Sequence, residues 1–102
     1  MVRLTVFYPH SAGAKFDLDY YLNRHLPMAS QLIGSAIKGV TVEEGIAGAE
    51  GAPPHYIVMT HVMFESVEAL ERAMHEHGPK IFADVPNYTT IQPQIQISEV
   101  KL

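Results

Sequence analysis

The run FDLDYYLNRHLPM at residues 16–28 holds Asp17, Asp19, the pair Tyr20 and Tyr21, and His25 two residues ahead of Pro27. An imidazole ordinarily titrates near neutral pH, so His25 is the candidate general acid or base, a role worth ~10²–10⁴-fold in rate. At helical spacing Tyr21, His25 and Met28 follow i, i+4, i+7 and Leu32 completes the stripe, which sets His25 in or beside the apolar side. Pro27 has no N–H for the carbonyl of Asn23, a defect of about 3 kcal/mol in a regular helix interior, and predicts a kink next to His25. Spacing leaves two readings open. Either His25 is the polar centre of a pocket, or it is a core histidine bonded to a backbone carbonyl, with Pro27 ending a short helix.

Other residue types fit the first reading. The hydroxyls of Tyr8 and Tyr21 suit an oxygen that becomes negative during proton transfer, while Phe7, Met59 and Phe82 supply the apolar lining that small organic ligands prefer. Met28 and His61 complete the expected substrate-binding set. Asp84 is expected to orient His25 through its other ring nitrogen; the competing reading is a turn residue bonding its own backbone before Pro86. The remaining histidines lack metal-ligand spacing. His75 and His77 lie two apart on a helix and diverge, and His55 and His61 lie about 20 Å apart at ~3.4 Å per strand residue.

These side chains need elements to hold them. Val2 to Tyr8 alternates as a strand, with Val2, Leu4, Val6 and Tyr8 on one face and Arg3, Thr5 and Phe7 on the other. Asp17 caps a helix expected from Leu18 to Ile33, stopped by Gly34. Lys38 to Ile46 reads as a second strand that runs into the small-residue loop AGAEGAPP, and residues 55–64, HYIVMTHVMF, as a third. Ser66 caps a helix expected over Val67–His77 with Gly78-Pro79 as its stop, and after the segment KIFADVPNYTT a last strand runs from Thr90 to Val100. The order strand, helix, strand, strand, helix, strand predicts an α+β, ferredoxin-like βαββαβ sandwich with both helices on one face of an antiparallel sheet, over one domain of residues 1–102.

Two helices cover one face only. Strands 2–8 and 55–64 read as apolar on both faces, and burying four such side chains is worth ~6–12 kcal/mol at ~1.5–3 each. A second copy is the expected cover: two protomers packed sheet against sheet as a two-fold homodimer, the dimeric α+β barrel.

Composition limits the partners. The chain has 102 residues, is 47% hydrophobic and 18% charged, and carries a net charge of −4, which offers no basic footprint for nucleic acid. It has no cysteine, so disulfides and thiolate chemistry are absent. No apolar run approaches the ~18 residues of a membrane span, and the first residues read as a strand instead of a secretion signal, so the expected location is cytoplasmic. The third strand lacks the glycines and basic residue of RNA-binding relatives of this sandwich, and GIAGAEG precedes no helix, so no nucleotide cofactor is expected.

The stretches YP at 8–9, FDLDYYLNRHLPM at 16–28 and KIFADVPNYT at 80–89 resemble the family named for EthD, the ethyl tert-butyl ether degradation protein, within the dimeric α+β barrel superfamily. The resemblance spans nearly the whole chain. It implies the same fold and sheet-to-sheet dimer, and a small-molecule pocket between sheet and helices with His25 as its functional residue and Asp84 as a second polar position. It also implies oxidoreductase or accessory roles in the breakdown of organic compounds, and superfamily relatives include cofactor-free monooxygenases, isomerases and cyclases. The expected function is cofactor-independent proton-transfer chemistry on a small hydrophobic organic compound. The alternative is a non-catalytic ligand-binding or accessory dimer module.

Overall fold

The computed structural model describes residues Met1 to Leu102. Four strands, β1 (Val2–Pro9), β2 (Gly39–Glu44), β3 (Tyr56–Phe64) and β4 (Gln94–Glu99), form one antiparallel sheet in the order β2-β3-β1-β4. The helices α1 (Leu18–Tyr20), α2 (Leu26–Ile33) and α3 (Val67–Ala83) complete a ferredoxin-like βαββαβ chain order. The core sits between the helices and one sheet face, where Val2, Leu4, Val6 and Tyr8 of β1 lie beside Val58 and Phe64 of β3 and under Tyr21 and Leu70. Each large apolar side chain buried there stabilises the fold by ~1.5–3 kcal/mol.

The first helical segment departs from the expected kink. A π-helical turn, Tyr21–His25, joins α1 to α2, and the Leu26 N–H bonds the Tyr21 carbonyl five residues back. The wider turn delivers Pro27 to the first turn of α2, where a missing N–H and a fixed φ cost little. It also inserts about one residue into the phase. Met28 and Leu32 are half-buried outside the cavity lining, whereas Leu26, Ala29, Ser30 and Ile33 line it.

The second long helix overruns its expected stop at His77. Pro79 would deny a hydrogen bond to the carbonyl of His75, but both residues are on the exposed side, where water can serve that carbonyl, so α3 continues to Ala83. Ser66 caps it by accepting from the Ala69 N–H at 3.1 Å. The last strand is shorter than expected because Pro93 cannot donate to the ladder; Ile91 is buried ahead of it outside the sheet.

The bare sheet face is less apolar than the sequence pattern suggested. Register places Phe7, Met59 and Met63 there together with Arg3, Thr5, His61, Glu43, Gln94 and Gln96. His61 bridges strands, with Nδ1 3.0 Å from the Thr5 hydroxyl and Nε2 3.0 Å from a Glu43 carboxylate oxygen. Met59 and His61 therefore do not meet the helices, which corrects their expected place in a pocket with His25, and Phe7 likewise faces away. Strand alternation is the reason: Val58, Thr60 and Val62 own the helix side of β3.

Candidate active site

Two connections bring the site together. The segment after α3 is tied to the chain ahead of α1 by Asp17 N–H to the Tyr88 carbonyl at 2.7 Å and by the Thr89 hydroxyl to the Lys15 carbonyl at 2.6 Å. Asp17 also caps α1, accepting from the Tyr20 N–H at 3.0 Å, which is the role its position suggested. These ties set Asp84 and Tyr88 against the π turn that carries Tyr21 and His25.

His25 is 4% exposed. Its Nδ1 lies 3.0 Å from Asp84 Oδ2, and its Nε2 3.5 Å from the Tyr88 hydroxyl. The Asp84 carboxylate also accepts from the Tyr20 hydroxyl at 2.9 Å and from the Asn87 amide at 2.8 Å. Burial opposes the charge on Asp84, but the bonds from Asn87, His25 and Tyr20 outweigh it and hold the carboxyl below its ordinary range. Asp84 thus meets the His25 ring, as one sequence reading expected, and its partner within the turn is the Asn87 side-chain amide instead of its own backbone.

Behind His25 the hydroxyls of Tyr88 and Tyr8 meet at 2.7 Å, and that of Tyr21 meets Thr60 at 2.5 Å. The Tyr21 ring stacks on His25 with centroids 5.3 Å apart, and Tyr8 stands edge-on to Tyr21 at 5.6 Å. Burial is the main influence that pushes the hydroxyls of Tyr8, Tyr21 and Tyr88 well above the usual phenol range, so all three stay neutral. No buried side-chain nitrogen or oxygen lacks a partner.

This cluster forms part of the wall of a cavity of about 60 Å³ between the helices and the sheet. That is room for several waters or a small organic group. His25, Tyr8, Tyr21, Ser30 and Thr60 are its lining residues with polar groups, and Leu26, Ile33, Phe64 and Phe82 are among its apolar lining. Ser30 and Val40, both exposed, mark the side where it meets solvent.

Of the residues singled out by sequence, the structure brings together His25, Tyr8, Tyr21, Phe82 and Asp84. Met28, Met59 and His61 lie elsewhere. Sequence reasoning gave Tyr88, Tyr20 and Thr60 no role in the site. Tyr88 belongs to a turn with no periodicity to reveal its facing, although a large aromatic three residues before Ile91 in so polar a stretch was a usable hint of burial.

A profile for the EthD domain matches residues 12–92. The chain belongs to the EthD family. An EthD-like protein from Ralstonia eutropha shares 45% identity and superposes with a TM-score of 0.93, covering 99% of this chain and 92% of that one. An EthD family protein from Bacillus halodurans, at 20% identity and a TM-score of 0.76, covers 99% of each chain. SnoaB, a cofactor-independent oxygenase from Streptomyces nogalater, shares the fold at 10% identity and a TM-score of 0.58, over 99% of this chain and 92% of its own. No curated protein matches the chain. No helix is long and apolar enough to cross a membrane.

Proposed function

We propose that this EthD-family protein is a cofactor-independent enzyme that moves a proton to or from a small hydrophobic organic compound, with His25 as the acid or base. The observation that carries the reading is His25, held by Asp84 behind it, in the wall of a largely apolar cavity. A buried histidine whose Nδ1 is fixed by a carboxylate keeps Nε2 for proton exchange, and an apolar surround strengthens every polar contact made inside it. The fold is shared with SnoaB, a cofactor-independent oxygenase, and this supports cofactor-free chemistry here by analogy. A cytoplasmic location is part of the proposal, as is a homodimer through the bare sheet faces, centred on Phe7, Met59 and Met63.

Exchange of the α-protons of a small aromatic ketone in heavy water, followed by NMR without added cofactor, tests the reading. Wild type is expected to exceed a His25→Gln variant by ~10²–10⁴-fold. Equal rates with the ketone bound favour the non-catalytic binding module instead.

A further inference from the structure

The hydroxyl chain behind His25 has a direction, and the direction identifies the atom that meets the ligand. Asp84, held as the anion by three donors, can only accept at Oδ2, so the proton of a neutral His25 ring sits on Nδ1. Nε2 is then a lone pair, and the hydroxyl within reach is that of Tyr88, 3.5 Å away. With Tyr88 donating to His25, its oxygen accepts from Tyr8 at 2.7 Å. Tyr8 therefore points its proton backward into the chain. Its own oxygen then keeps a lone pair for a ligand when Tyr21 donates to Thr60, and Tyr8 is one of the residues that line the cavity.

Resting on the pocket reading above, we propose that the ligand gives its proton to the Tyr8 hydroxyl oxygen and that Tyr88 relays the displaced proton to His25. The ligand O–H bond breaks as a new O–H bond forms on Tyr8. The proton Tyr8 held moves to the Tyr88 oxygen, and the proton Tyr88 held moves to His25 Nε2. The products are a ligand oxyanion and an imidazolium paired with Asp84. Both tyrosines end neutral with their hydroxyls reversed, so Tyr8 now donates to the oxyanion it created. Electrons stay where they were, and no oxidant or co-reactant enters.

Two observations fit this order. The buried tyrosines resist ionisation, so the protons move together without a tyrosinate intermediate. The 3.5 Å gap between Tyr88 and His25 is too long for a strong bond in the empty site, and it closes to roughly 2.7–2.9 Å once the ring is cationic and donates to the Tyr88 oxygen. The substrate class follows: a compact apolar molecule carrying one weakly acidic O–H, such as a phenol or the enol of a ketone. Tyr8 is the catalytic residue that touches it, and Tyr88 passes the proton on to His25.

The probe is 4-nitrophenol, whose anion is coloured, with 4-nitroanisole as the analogue that has no proton to give. At a pH where the free phenol is mostly neutral, binding to wild type is expected to raise the ratio of anion to phenol about tenfold. Nitrogen NMR of His25 is expected to change from neutral ring to imidazolium at the same time. Nitroanisole should bind and cause neither change. Tyr88→Phe should bind the phenol, leave it colourless and leave His25 neutral. Colour retained in Tyr88→Phe overturns the relay while leaving His25 in its role. A phenol bound but neutral in wild type overturns relay and base together, and failure of both probes to bind removes the pocket itself. Because Tyr88 is buried, wild type with labelled tyrosine provides a second readout free of any folding defect. The Tyr8 and Tyr88 hydroxyl signals should move together with the phenol and not with the anisole, and an unmoved Tyr88 overturns the proposal.

Discussion

The three buried tyrosines make a quantitative forecast for alkaline unfolding. Tyr8, Tyr21 and Tyr88 are 2%, 1% and 3% exposed, and burial raises the ionisation of each above the ordinary value of 10.0. Below pH ~10 each is neutral in both folded and unfolded chains, and its contribution to stability is fully present. Above that point the unfolded chain releases protons that the folded one retains, so stability falls as pH rises. Each tyrosine contributes a slope of about 1.4 kcal/mol per pH unit, and three together about 4. A domain with a typical ~5–10 kcal/mol at neutral pH then unfolds near pH 12. The assay follows tyrosinate absorbance and far-ultraviolet dichroism in one titration. The buried hydroxyls should ionise only as the dichroism collapses, and Tyr8→Phe should reduce the slope by about a third. Tyrosinate appearing for all five tyrosines near pH 10 with the fold intact would refute the reasoning, because it would mean the hydroxyl chain is open to water.

Two further outcomes are expected. Asp84, with its ionisation lowered by its donors, contributes stability above the ordinary carboxyl value of 3.8 and loses it as pH falls below; the stability gap between wild type and Asp84→Asn should narrow through that range, and a gap independent of pH contradicts the assigned bonds. Light scattering should give about twice the 11.3 kDa chain mass for wild type at micromolar concentration and the single mass for Met59→Glu, which sets a charge in the middle of the bare face; a wild-type monomer ends the dimer proposal.

The fold was legible where periodicity is simple. Alternation placed β1 and β3, and Asp17 and Ser66 marked their helices correctly by capping. Proline misled at two positions for one reason: its cost depends on what the carbonyl four residues back can find. At Pro79 that carbonyl is on the exposed side, and at Pro27 a π turn moved the defect into the first turn of α2. Half of the candidate site was legible too. His25, Tyr8 and Tyr21 could be placed by period, whereas Asp84 and Tyr88 occupy turns, whose facing depends on tertiary ties such as Asp17 to Tyr88. Met59 and His61 went astray because a strand with apolar residues on both faces gives no sign of which face the helices cover.

The strand β1 joins the candidate site to the proposed dimer face. Its even residues run Val2, Leu4, Val6 and Tyr8 along the helix side, ending at the hydroxyl that begins the chain to His25. Its odd residues set Thr5 against His61 and Phe7 beside Met59 on the bare side. A one-residue slip of this strand would exchange the two sets, placing Phe7 where Tyr8 forms the cavity wall and Tyr8 on the outer face. Register is thus fixed twice over: apolar burial on one side demands it, and the Thr5–His61–Glu43 bonds on the other admit only the same pairing. The bulge between Tyr8 and Pro9 ends that regular pairing one residue beyond Tyr8, so the hydroxyl is held by the last rigid rung of the sheet. The proposed proton transfer demands placement to a fraction of an ångström, which this last rung of regular pairing supplies.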